Sequence, residues 1–262
     1  MMTTHGASGA GRAASDPPSS ASSCPVLELR QYTLHPGQRD VLIDLFEREL
    51  VETQEELGMR VVGSFRDLDD PDRFVWLRGF AGMSSRRAGL TAFYGGPVWA
   101  AHKAAANATM IDSDDVLLLR PVFPEAGLPT ARTARPPVGS TNPPQSLVTA
   151  TLFSLPHPVD EDVRGFFCDQ VDPLLTQAGA PRLALLETEP AKNTFPALPV
   201  REGEHTVVRL SRFGSLADHA AHRERLQRSS AWVGEVQPVL QARITSSPQQ
   251  LRLQPTARSL LR

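Results

Sequence analysis

The chain has 262 residues, 40% of them hydrophobic, with a formal net charge of −2 and a pI near 6.4. That length suits one large domain or two small ones, and the charge balance gives no electrostatic footing for nucleic acid or an anionic membrane surface. No apolar run approaches the roughly 18 residues of a membrane-spanning helix, and the two cysteines, Cys24 and Cys168, make no disulfide framework and suit a reducing cytoplasm.

Residues 1–24 are small and polar. "MMTTHGASGAGRAASDPPSSASS" has no continuous hydrophobic core of a secretory signal and reads as a disordered arm. From 25 to 121 the element order is β-α-β-β-α-β. "VLELRQYTL" (26–34) alternates, with Leu27 and Leu29 on one face and Glu28, Arg30 and Tyr32 on the other. A helix follows over about 38–57 with the apolar stripe Val41, Leu42, Leu45, Phe46 and Leu50, and Gly58 is its expected stop. "MRVVGSF" and "RFVWLRGF" are two strands joined by an acidic segment. Ser84 is expected to cap a second helix, Gly95-Gly96-Pro97 to break it, and Pro97 to start another turn carrying Trp99 and His102. "DVLLLRP" closes the unit as a strand.

Residues 122–146 are proline-rich, lack periodicity and read as an extended linker. Residues 147–255 then repeat the plan, and 256–262 form a tail. "RFVWLRGF" (73–80), Trp99 and Pro121 reappear as "TVVRLSRF" (206–213), Trp232 and Pro255, at offsets of 133, 133 and 134 residues. A divergent duplication follows. The fold class is α+β: tandem ferredoxin-like units with antiparallel sheets, packed as an intramolecular dimeric α+β barrel.

Four aspartates, Asp67, Asp69, Asp70 and Asp72, stand within six positions. An EF-hand loop starting at Asp67 would place Asp72 at the glycine position and Arg78 at the bidentate glutamate. A phosphatase DxDx[TV] motif would need Thr or Val where Pro71 stands. Asp and Pro are ordinary turn formers, so the segment reads as a hairpin turn and no metal is expected there. His219 and His222, at i and i+3 in an Arg- and Glu-rich stretch without a third ligand, read as a solvated helix face. Cys168 reads as helix core. GxSxG, P-loop, HExxH and Rossmann fingerprints do not occur.

"ELRQYTLHPGQRD" (28–40), "GSFRDLDDPDRFVWLRGF" (63–80), "FYGGPVWAAH" (93–102) and "ANATMIDSDDVLLLRP" (106–121) strongly resemble the NIPSNAP family, notably its bacterial branch. The resemblance covers the first repeat; the second, without "FYGGPVW", is a diverged relative. It implies the ferredoxin-like fold of the dimeric α+β barrel superfamily, in which two units pair sheet to sheet around a central cavity. Relatives there include cofactor-independent monooxygenases, haem-binding enzymes and small-ligand binders, and fold analogy does not choose among them.

If helices cover the Leu27, Leu29, Val75 and Leu77 side, the cavity receives Glu28, Arg30 and Tyr32 from the first strand. The third strand adds Phe74, Trp76, Arg78 and Phe80, and the second repeat Val207, Arg209, Ser211 and Phe213. Arg30, Tyr32, Trp76, Arg78, Glu28 and Arg209 are therefore the candidate ligand residues, for a small planar or anionic molecule. A buried Glu28–Arg30 ion pair inside a filled barrel stands equally open. The expected function is small-molecule binding without a cofactor. A cofactor-independent monooxygenase-like or isomerase-like enzyme and a non-catalytic interaction module are the alternatives, and homo-oligomerisation stays open. No general base is evident, because His102 falls on a helix.

Overall fold

The computed structural model describes residues 24–128 and 134–262; the expected arm, apart from Cys24, lies outside them. In the first repeat β1 (Val26–Leu34) leads into α1 (Arg39–Leu45), which continues through a π turn (Phe46–Leu50) into α2 (Val51–Glu56). Gly58, at φ +79°, ends that helix as the sequence suggests, since the left-handed conformation suits glycine. β2 (Arg60–Asp67) and β3 (Arg73–Phe80) form the hairpin. α3 (Met83–Tyr94), α4 (Pro97–Asn107) and β4 (Met110–Pro121) complete the unit. α3 starts one residue before Ser84, so Ser84 is not its cap. Gly82 takes that position and receives a hydrogen bond from Ser85 Oγ at 2.8 Å.

The second repeat has the same plan: β5 (Leu147–Leu155), α5 (Glu161–Phe166), a π turn (Phe167–Val171), α6 (Asp172–Gln177), β6 (Arg182–Thr188), β7 (His205–Phe213), α7 (Leu216–Arg228), a π turn (Trp232–Val236), α8 (Gln237–Arg243) and β8 (Gln249–Pro255). A π turn interrupts the first helix of both units, a departure from α geometry that independent origins would rarely share. α5 has its own N-cap, Asp160, which accepts from Val163 N.

The strands close into one antiparallel barrel in the order β1-β3-β2-β8-β5-β7-β6-β4. Each repeat supplies four strands in ferredoxin-like order. The seams are β2–β8, pairing Phe65 with Pro255, and β4–β6, pairing Leu119 with Thr188. Closure leaves neither sheet an edge. The segments flanking the second repeat pack on the first. Thr256 N donates to Ser64 O at 2.9 Å and Leu261 N to Val62 O at 3.0 Å, and Thr256, Arg258 and Ser259 are buried. Arg135, within the expected linker, donates to Arg258 O at 2.7 Å and to Glu55 Oε1 at 2.6 Å.

The inside of the barrel corrects the expected parity. Leu27, Leu29, Val75 and Leu77 point inward, where they meet Val148, Leu186, Val208, Leu210 and Leu253 of the other repeat in a dry aliphatic core. Glu28, Arg30, Tyr32, Trp76 and Arg78 are on the other face, under the helices of the first repeat. The physical reason is symmetric demand. Two sheets meeting face to face both need apolar inner surfaces, so the aliphatic stripe belongs to the sheet–sheet contact. The helices then cover the aromatic and charged face, bringing Phe46 against Trp76 (ring centroids 4.8 Å apart) and against Phe74 (5.4 Å).

Candidate functional site

Each repeat encloses a space between sheet and helices, and the two spaces differ. In the first repeat four buried charged side chains meet on the outer face of β1 and β3. Arg78 Nη2 lies 2.6 Å from Glu28 Oε2, Arg30 Nη1 lies 3.0 Å from the same oxygen, and Arg86 Nε, from α3, lies 2.7 Å from Oε1. All four side chains are fully buried. Burial would raise the Glu28 pKa, but the guanidiniums of Arg78, Arg30 and Arg86 outweigh it and hold the carboxyl at about 2. Arg30 also donates to Tyr32 OH (2.9 Å), and Arg78 to Gln54 Oε1 (2.9 Å).

Tyr32, Trp76 and Arg78 line a cavity of about 30 Å³ with rings from α3 and α4, Phe93, Tyr94 and Trp99. That is room for a water or two. The predicted residues therefore come together, but on the helix side of the sheet and around an almost filled space. The ion cluster is three cations to one anion. Arg86 Nη2 and Trp76 Nε1 are buried without a hydrogen-bond partner among the described residues.

A long connection between β6 and β7 of the second repeat packs beside this space, on Arg86 and Tyr94. Asn193 Oδ1 accepts from Arg86 Nη1 at 2.8 Å, and Thr194 Oγ1 sits 3.3 Å from the same nitrogen. The Phe195 ring stacks on Tyr94 with centroids 5.7 Å apart and planes inclined by 20°.

In the second repeat the equivalent space is open, at about 250 Å³. Strand hydroxyls of Thr149, Thr151 and Ser211 line its floor, Phe153 and Phe213 its sides, and His222, Trp232 and Gln241 come from the helical layer. Arg209 occupies the position that Trp76 holds in the first repeat, by the 133-residue offset and by its pairing with Thr151 where Trp76 pairs with Arg30. Its guanidinium is fully committed: Nε to Asp172 Oδ1 (2.8 Å), Nη2 to Thr176 Oγ1 (3.1 Å) and Ala180 O (2.9 Å), and Nη1 to Ser211. Arg209 is thus held in the wall by Asp172, which also pairs with Arg182, and the pocket offers hydroxyls, amides and an imidazole, with the exposed Arg223 as a cation at its rim.

His222 corrects the reading of a solvated face, for both His219 and His222 are buried. Phe213 packs on both, with ring centroids at 5.0 and 5.4 Å. Burial pushes both pKa values below the ordinary histidine value. His222 Nδ1 lies 3.1 Å from the Ala178 carbonyl, which fixes the tautomer with its proton on Nδ1 and leaves Nε2 as an acceptor. The available signal was that Leu226 continues the His219–His222 face at i+7 and packs on the core. Cys168 is half-buried rather than core. The aspartates do form a turn. Asp67 Oδ1 accepts from Asp69 N (2.9 Å), Asp72 Oδ1 from Gly37 N (2.9 Å), and Asp69 pairs with Arg252 of β8.

Residues 27–123 match the family model described as NIPSNAP. The first repeat is a NIPSNAP domain. No curated protein matches the sequence. Three solved structures share the architecture over nearly the whole chain. A "putative monooxygenase" from Fusobacterium nucleatum is 7% identical, covering 89% of this chain and 93% of that one, with a TM-score of 0.53. A second protein so described, from Lactobacillus acidophilus, is 11% identical over 88% of this chain and 94% of its own, with a TM-score of 0.51. An anthrone oxidase-like protein is 14% identical over 90% and 93%, also with a TM-score of 0.51. At these identities the likeness is one of fold. The NIPSNAP repeat and its diverged partner thus build one α+β barrel, a fold that hosts several chemistries.

Proposed function

We propose that this is a small-molecule-binding barrel whose ligand lies between the sheet and helices of the second repeat. The observation that carries the reading is the asymmetry between the repeats: about 250 Å³ of lined space in the second against about 30 Å³ in the first. A concave, mostly apolar space with a few convergent polar groups is the usual form of a ligand site. Arg209 is held in the wall by Asp172 and its backbone and hydroxyl acceptors, and Arg223 stands exposed at the rim. The reading therefore favours a ring-bearing polar molecule, neutral where it lies near Trp232 and hydrogen-bonded by Thr149, Thr151 and Gln241. Of the six residues singled out in the sequence, Arg209 lines this pocket and acts by shaping its wall.

Thr151→Phe fills the pocket from the strand floor, where the side chain is only partly buried. A ligand-observed NMR screen of small uncharged heteroaromatic compounds should give hits with the native chain that weaken at least tenfold in Thr151→Phe. Hits that bind both proteins equally would contradict the reading.

A second reading, proton abstraction by a cofactor-independent enzyme, is favoured by His222. A neutral imidazole with a free Nε2 in a pocket is the equipment of a general base. Its test is His222→Gln, which should retain ligand binding and abolish turnover of any bound compound that carries an acidic C–H or O–H.

A further inference from the structure

We infer that the first repeat contains a second, occluded site for an aromatic carboxylate, and that Asn193, Thr194 and Phe195 occupy it as an internal substitute for that ligand. Arg30, Arg78 and Arg86 surround one carboxylate, Glu28, so the buried cluster carries an excess of two positive charges. Excess charge of one sign in a dry interior is costly unless an anion joins it. Arg86 points to where that anion belongs. Its Nε faces Glu28, its Nη1 is satisfied by neutral oxygens from the loop, and its Nη2 has no partner among the described residues. An amide oxygen engages one nitrogen of that edge. A carboxylate would engage Nη1 and Nη2 together, in the planar fork that guanidinium is built to form, and would cancel one of the two excess charges.

The same loop supplies the second half of the mimicry. Two residues after the amide that binds Arg86, the Phe195 ring lies nearly parallel to Tyr94, against the aromatic wall that continues through Trp99. A hydrogen-bonding oxygen on Arg86 followed by a ring on Tyr94 describes an arylacetate or aryl carboxylate. The loop can leave without unravelling the barrel. Its ends are pinned to β4, by Glu189 N to Leu118 O (2.9 Å) and Arg201 N to Val116 O (2.8 Å), and the residues between them form no helix or strand. Departure of Phe195 and Asn193 would free the space beside Arg86 and Tyr94, whose ring also borders the small cavity at Trp76 and Arg78.

The test uses 4-fluorophenylacetate as a ¹⁹F NMR probe of Phe195→Ala, in a Thr151→Phe background so that the second-repeat pocket cannot contribute. Phe195→Ala should bind the probe at least tenfold more tightly than its parent, the gain should vanish in Phe195→Ala/Arg86→Lys, and the uncharged 4-fluorophenylacetamide should show no gain. A folded Phe195→Ala that binds acid and amide alike, or neither, overturns the inference. If that variant does not fold, hydrogen exchange of the native chain decides. Millimolar phenylacetate should accelerate exchange across 190–200 as the loop is displaced, and unchanged or slowed exchange there overturns it. None of these readouts depends on whether the second-repeat pocket binds a ligand.

Discussion

Arg78 faces Glu28 directly across the β1–β3 ladder and donates to its Oε2 from both Nε (3.0 Å) and Nη2 (2.6 Å). The pair is the centre of a structural cluster, since Arg30 and Arg86 close on the same carboxylate. Removing the one anion strands three buried cations, which is far costlier than losing an exposed bridge. Glu28→Gln should therefore lose about 3–5 kcal/mol in urea unfolding. A loss below about 1 kcal/mol would mean that water or another anion screens the cluster.

Stability should fall in two steps as the solution is acidified. His219 and His222 titrate below the ordinary value because burial penalises the imidazolium. The unfolded chain protonates first, so their contribution is complete above about pH 6.5 and declines as pH drops toward their lower folded values. Glu28, held at about 2 against an ordinary 4.5, contributes fully above pH 4.5 and loses that contribution between there and about 2. Thermal melts across this range should show both declines, and His222→Gln should shrink the upper one to the His219 share while leaving the lower one unchanged.

Trp76 is core, not a ligand platform open to solvent. Its ring packs edge-on against Phe46 and Tyr32 and carries the Arg78 guanidinium 4.9 Å from its centroid. Trp76→Ala should cost about 3–5 kcal/mol. It should leave binding at the second-repeat pocket unchanged in whatever fraction remains folded.

The acidic turn should be indifferent to divalent cations. Its carboxylates already serve arginines and backbone N–H groups, and the Asp69–Arg252 bridge ties the first-repeat hairpin to β8 of the second. Calcium, magnesium or manganese should leave the melting temperature within about a degree, since a ligand that does not bind the native state adds no linkage. Asp69→Asn should cost about 1 kcal/mol or less, because that bridge is exposed to solvent.

The repeat, the ferredoxin-like order and the hairpin turn were legible because they rest on alternation, glycine and proline punctuation, and fixed offsets. Which face of β1 looks inward was not. Leu27 and Leu29 would suit a helix or a second sheet equally, and period-two alternation only says that they share a face. The choice lay in side-chain type. Phe74, Trp76 and Phe80 match the rings Phe46, Phe93 and Trp99 on the helices, whereas the inward stripe is almost wholly aliphatic. The asymmetry of the two pockets was out of reach for another reason: it depends on how the rings of Phe93, Tyr94 and Trp99 on the helices close over Trp76, where the second repeat has Arg209.

Native mass spectrometry of the protein purified from its own host, beside Thr151→Phe prepared identically, tests the central claim most directly. A small molecule should accompany the native chain, released on activation, and be absent from Thr151→Phe although the variant melts cooperatively. The same mass retained by both proteins would place the ligand elsewhere and contradict a second-repeat site.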